Sequence, residues 1–166
     1  MSKTLPVFQD SAICTPCGGH CCKTIPGMTM PEDWGAPDMT TVTGRLKEAF
    51  ASGRYSLNWW EGESWREQPE LHGKVFIVAP AVEDGEGDTE YPDNVGGGWF
   101  APPVRLGCTF LKSDGCELGF DSRPHGCRTL EPSIMGNCKP HGGGMAEFAL
   151  AWAPYQEAIA MARANT

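Results

Sequence analysis

Cys14-Thr15-Pro16-Cys17-Gly18-Gly19-His20-Cys21-Cys22 packs four thiols into one short stretch. The Cys14-x-x-Cys17 step lets two sulfurs converge on one ion within a tight turn. Gly18 and Gly19 add the permissive dihedrals a chain needs to wrap a centre. Cys21 and Cys22 are adjacent, so in an extended segment they point to opposite sides. They serve different centres, or only one of them is a ligand. A segment this rich in thiols predicts a fold organised around a site rather than around a long regular element.

No cysteine follows Cys22 until Cys108, and Cys116, Cys127 and Cys138 complete the eight. The two groups must meet in space if they share a site, which predicts a centre closed over a long intervening segment. Ser113-Asp114-Gly115 is a turn sequence that would bring Cys108 and Cys116 together. All eight cysteines, Cys14, Cys17, Cys21, Cys22, Cys108, Cys116, Cys127 and Cys138, are candidate metal ligands. Arg123 and Arg128 flank Cys127, where a guanidinium can favour a thiolate and donate to sulfur; the alternative is that they pair with surface carboxylates. His20, His125 and His141 lie beside the clusters and are read as hydrogen-bonding neighbours rather than ligands.

Compartment and charge bear on the choice between metal and disulfides. The N-terminal residues lack the apolar run of a signal peptide, and no stretch has the length of a membrane span, so the sequence predicts a soluble cytoplasmic protein. In a reducing compartment thiols serve metal or redox chemistry. Eight cysteines in 166 residues also fall short of the roughly 8–10% typical of short disulfide-built chains. A scaffold of four bridges is the competing reading. The formal net charge of −8, with a pI near 4.9, excludes nucleic-acid and anionic-membrane surfaces, which require clustered Lys and Arg.

These motifs resemble the YkgJ-like cysteine-cluster family, whose domain is described as zinc- or iron-chelating. The likeness is carried by Cys14-x₂-Cys17-x₃-Cys21-Cys22, by Cys108-Thr109-Phe110-Leu111 with Asp114-Gly115-Cys116, and by Arg123-Pro124-x₂-Cys127-Arg128. It covers both ends of the chain. The segment from Cys116 to Arg123 is one residue longer than the family's usual spacing, and residues from about 38 to 98 have no family counterpart. Flagellin N-methylase carries a similar cluster, so the resemblance also implies redox or methyl-transfer chemistry.

Between the clusters, the pattern predicts a small α+β single domain with short helices and a small antiparallel sheet or hairpin. Thr29-Met30-Pro31-Glu32 has the cap, early proline and acid of a helix start. Leu46, Ala49 and Phe50 mark one face of a helix over Thr43–Phe50, with Gly53 as its stop. Val75-Phe76-Ile77-Val78 reads as a strand, with Trp99-Phe100 and Val104-Arg105-Leu106 as its expected partner. Residues 83–98, acidic and rich in Gly and Pro, read as a solvated loop. Met145, Phe148, Ala149 and Trp152 recur at helical spacing, and Pro154 should interrupt the helix before Ile159. Trp59, Trp60 and Trp65 are read as core or interface aromatics in preference to a ligand groove.

Only Cys14 and Cys17 have the spacing of a zinc knuckle, the later gaps being x₇, x₁₀ and x₁₀. Three close thiols with a remote fourth suit an iron–sulfur cluster, which is preferred here to zinc. No common hydrolase, zinc-protease, P-loop or dinucleotide motif is present. The leading expectation is a metalloprotein with a structural or electron-transfer role. A redox or methyl-transfer enzyme is the first alternative. A zinc-stabilised interaction module, offering its Trp-rich middle or acidic loop to an unidentified protein partner, is the second.

Overall fold

The computed structural model describes residues 27–61, 74–81, 98–99, 108–113, 115–133, 138–140 and 145–164. The first cysteine cluster, His20, His141, Trp65, the acidic loop and Val104–Leu106 lie outside the described residues. What is described is a small α+β unit of short helices and small antiparallel sheets.

The chain enters through an extended segment, Gly27–Met30, and turns through a 3-10 helix at Pro31–Trp34. The cap is Met30, not Thr29, and the acid that reaches back to it is Asp33, whose Oδ2 accepts the Met30 N–H at 3.0 Å. Thr29 is used differently. Its hydroxyl donates to the Val78 carbonyl at 2.7 Å and accepts the Trp34 indole N–H at 2.9 Å. Its carbonyl accepts the Trp152 indole N–H at 2.7 Å. A buried threonine with three such partners is locked into the core, which explains why it is not free to cap a helix.

Helix α1 runs from Met39 to Ala51, four residues earlier than its apolar face suggested, because Asp38 caps it by accepting the Thr41 N–H at 3.0 Å. Val42, Leu46 and Ala49 are its buried stripe. Gly53, at φ +69°, turns the chain out of it. Strand β1 (Tyr55–Glu61) pairs antiparallel with β2 (Val75–Pro80), from Tyr55 opposite Pro80 to Trp60 opposite Val75. The expected strand at Val75–Val78 is therefore present, but its partner differs. Trp99, in β3 (Gly98–Trp99), pairs with Trp60 of β1, giving the order β2-β1-β3. Strand β1 had its own signal, since Tyr55, Leu57 and Trp59 alternate with Ser56 and Asn58.

Two short hairpins follow. Strands β4 (Leu111–Lys112) and β5 (Gly115–Cys116) pair antiparallel, with Gly115 at φ +122°. A one-turn helix α2 (His125–Arg128) leads into β6 (Leu130–Glu131), which pairs with β7 (Lys139–Pro140). The chain then forms α3 (Met145–Trp152), a 3-10 turn at Ala153–Tyr155 and α4 (Gln156–Arg163), so Pro154 interrupts the helix as expected. The core is built by Val42 and Leu46 of α1, Ile77 and Val78 of β2, Trp152 of α3 and Ile159 of α4, each at most 2% exposed. Residues 39–61 and 74–80 supply much of that core. Trp59 is buried, and Trp60 packs against the core. Among the described residues no helix is long and apolar enough to cross a membrane.

Candidate metal centre

The sheet edge where β1 begins and β2 ends carries the first half of the site. The Ala81 N–H donates to the Arg54 carbonyl at 2.9 Å, and the Thr109 N–H donates to the Ala81 carbonyl at 3.0 Å. The Thr109 hydroxyl also donates to the Arg54 carbonyl, at 3.1 Å. These bonds fasten Cys108-Thr109-Phe110-Leu111 to the sheet as a tight turn, closed by the Leu111 N–H donating to the Cys108 carbonyl at 2.8 Å. Cys108 is buried, and the Phe110 N–H donates to its Sγ at 3.4 Å.

The second half is built where the chain leaves the first cluster. Gly27 and Met28 lie backbone to backbone against Gly126 and Cys127, with the Gly126 N–H donating to the Met28 carbonyl at 2.8 Å. A Cβ on Gly27 would stand 2.5 Å from Cys127 Sγ, and one on Gly126 would stand 2.8 Å from both N and O of Met28. Only glycine fits either place. Gly27 is five residues beyond Cys22, a reach of at most about 17 Å for an extended chain.

Asp33 holds this second half rigid. Its Oδ2 accepts the His125 N–H at 2.9 Å, and its Oδ1 accepts from Arg128 Nη2 at 2.7 Å. Arg128 also donates through Nε to the Arg123 carbonyl at 2.9 Å, and Arg123 donates through Nε to the Leu118 carbonyl at 3.2 Å. Arg128 thus lies in a half-buried ion pair, while Arg123 braces the loop before α2. The Nε2 atom of His125 is buried and has no hydrogen-bond partner among the described residues. The ring itself stands edge-on to Phe148.

Tyr55 lies between the two halves. Its ring packs on Phe110 at 5.2 Å and edge-on to Trp34 at 4.9 Å, the one adjoining Cys108 and the other adjoining Asp33. Burial pushes its phenol up to about 12, and the anionic groups Asp33, Cys108 and Cys127 push the same way. Arg54 stacks over Phe110 at 4.1 Å and grips Glu117 with two bonds of 2.8 Å. Hydrogen bonds from Arg54 and then Lys112 hold the Glu117 carboxyl down to about 2.

Cys116 sits half-buried in β5 opposite Leu111, and half-buried Cys138 precedes Lys139, which pairs with Glu131. The hairpin sets Cys116 opposite Leu111, three residues beyond Cys108. Among the described residues no group of three or more His, Cys, Asp or Glu side chains gathers as a metal site. A centre drawing on both clusters needs ligands from Cys14–Cys22, which lie outside the described residues. The described residues hold a buried Cys108 sulfur that accepts an amide N–H, a Cys127 sulfur against Gly27, and a buried His125 Nε2 with no hydrogen-bond partner among them. Gly27, Asp33 and Tyr55 escaped sequence reasoning. Only the Gly-Met step after the cluster and the acid at Asp33 offered a signal. No protein-family model, curated protein or solved structure matches this chain. The likeness to the YkgJ-like proteins rests on the quoted motif residues.

Proposed function

We propose that this chain is a metal-binding protein whose cysteine-thiolate centre, an iron–sulfur cluster in preference to zinc, joins the two cysteine clusters in a structural or electron-transfer role. The observation that supports the reading is the seating of Gly27, five residues after Cys22 in the chain, against Cys127. The ligands would come from Cys14, Cys17, Cys21 and Cys22 on one side and from Cys108, Cys116, Cys127 and Cys138 on the other. An iron–sulfur cluster would supply one-electron transfer, whereas zinc would act as a crosslink only. The chain's own part is to hold thiolates at fixed positions and to exclude water from them. Burial of Cys108 and the amide donated to its sulfur serve both ends.

Anaerobic purification followed by metal and labile-sulfide analysis and a visible spectrum tests the reading. Brown protein holding iron and sulfide is the expected result. Colourless protein with stoichiometric zinc would replace the cluster by a zinc crosslink, and metal-free protein with intact disulfides would overturn both.

A further inference from the structure

Among the described residues β2 is an outer strand of its sheet, and its outer side is closed one position at a time. Phe76 stands opposite Trp59, and both of its backbone groups are bound by Gln156, so they point away from β1. Alternation turns the backbone groups of Val78 and Pro80 the same way. Val78 is fully buried, and its carbonyl accepts both the N–H and the hydroxyl of Thr29, at 3.0 and 2.7 Å. Pro80 is buried and has no N–H to offer. Of these three positions Phe76 is the one at the surface, 36% exposed. An apolar side chain beside a free backbone pair is what lets a sheet edge recruit another strand.

We propose that Gln156 is an edge cap standing where a neighbouring strand would, and that the partner it excludes is a second copy of this chain. A carboxamide carries the acceptor and the donor of one peptide unit. Gln156 Oε1 accepts the Phe76 N–H at 2.9 Å, and Nε2 donates to the Phe76 carbonyl at 2.9 Å and to the Trp152 carbonyl at 3.0 Å. With its oxygen facing an N–H and its nitrogen facing two carbonyls, the carboxamide has a single satisfied orientation. Gln156 reaches the edge because the helix breaks at Pro154, so that α3 ends at Trp152 and Gln156 opens α4. Trp152 is fully buried, and its indole N–H is fixed on the Thr29 carbonyl at 2.7 Å. The cap is therefore anchored to the core.

A second copy fits the edge beneath the cap. Two β2 edges related by a two-fold axis pair antiparallel with Phe76 opposite its own counterpart, exchanging two N–H···O bonds through the groups that Gln156 holds. The two exposed phenylalanines then form a cross-strand aromatic pair. A foreign strand needs a run of open positions. Thr29 at Val78 denies it that run, whereas the two-fold pair needs only Phe76.

Sedimentation velocity over a concentration series compares the full-length wild type with Gln156→Ala, Gln156→Glu and the double variant Gln156→Ala, Phe76→Lys. We expect the wild type to hold one mass throughout and Gln156→Ala to shift toward twice that mass as concentration rises. Gln156→Glu loses the donor to both carbonyls but leaves a charge at the edge that repels its own copy, so it should keep the wild-type mass. The double variant should keep it too, for the same reason. A constant mass for Gln156→Ala at every concentration overturns the proposal. Association of Gln156→Glu or of the double variant to the extent of Gln156→Ala also overturns it, since lost stability and not an opened edge would then be the cause. Should Gln156→Ala fail to fold, amide hydrogen exchange in the wild type decides. The Phe76 N–H should exchange as slowly as that of Ile77, which faces β1, and exchange at the rate of an unbonded surface amide overturns the cap.

Discussion

Gly27 and Cys127 are in such close apposition that a methyl group on the Gly27 Cα would stand 2.5 Å from the Cys127 sulfur. The obstacle includes the Cys127 backbone as well as its side chain, so rotamer changes cannot relieve it. Gly27→Ala should therefore destabilise the fold by roughly 1–3 kcal/mol, the usual cost of overpacking. For a domain of this size the melting temperature should fall by roughly 3–10 °C. Thermal denaturation of the purified full chain beside the wild type checks it. An unchanged melting temperature would mean that the two segments are not held together.

Asp33 accepts from Met30, His125 and Arg128, and the Asp33 and Arg128 side chains are only 17% and 23% exposed. Asp33→Ala strands a largely buried guanidinium and two backbone donors. The expected cost is about 3 kcal/mol, read from denaturant unfolding. The double variant Asp33→Ala, Arg128→Ala should cost less than the sum of the two single changes, because the second removes the stranded charge.

Thr29 links three elements through one side chain and one carbonyl. Thr29→Val keeps the shape but leaves the Trp34 indole N–H without its acceptor in a buried site. A loss of about 1–3 kcal/mol is expected from denaturant unfolding, with a change in tryptophan fluorescence. Thr29→Ser should retain most of the stability, since its hydroxyl can make the same bonds.

Tyr55 and Glu117 shape the two pH limits of stability. The Tyr55 phenol titrates near 12 in the fold against 10.0 ordinarily, so its contribution is fully present below pH 10 and is lost as pH rises toward 12. Phenolate absorbance should show one of the three tyrosines titrating late, and Tyr55→Phe should remove it. The Glu117 carboxyl titrates near 2 against 4.5, so its contribution is present above pH 4.5 and is lost as pH falls toward 2. Glu117→Gln should flatten that acid limb, and raised salt should weaken the effect, since the group is exposed.

Much of the local structure was legible from spacing alone. Leu46 and Ala49 at helical period, Pro154 at the break and Ser113–Gly115 at the turn each act over a few residues, where propensity and turn chemistry dominate. Strand β1 carried an alternating pattern, but the burial of its polar residue Asn58, which donates to the Met28 sulfur at 3.6 Å and accepts the Trp59 N–H at 2.9 Å, was not legible in it. Its partner could not be assigned because pairing is a long-range choice made by packing. Thr29 resembled a cap for the same reason that it became a core junction, since its hydroxyl can satisfy either kind of partner.

By itself the sequence determined the chemistry on offer: eight thiols in two groups, an acidic surface, helices at 3.6-residue spacing and a predicted α+β domain. Only the tertiary structure decided which thiols face which neighbours. Gly27 meets Cys127, Tyr55 packs between Trp34 and Phe110, and the β4–β5 ladder sets Cys116 opposite Leu111. Residue type and spacing specify what a side chain can bind. Which groups it meets depends on strand register and backbone packing between segments far apart in the chain, and no local pattern encodes those.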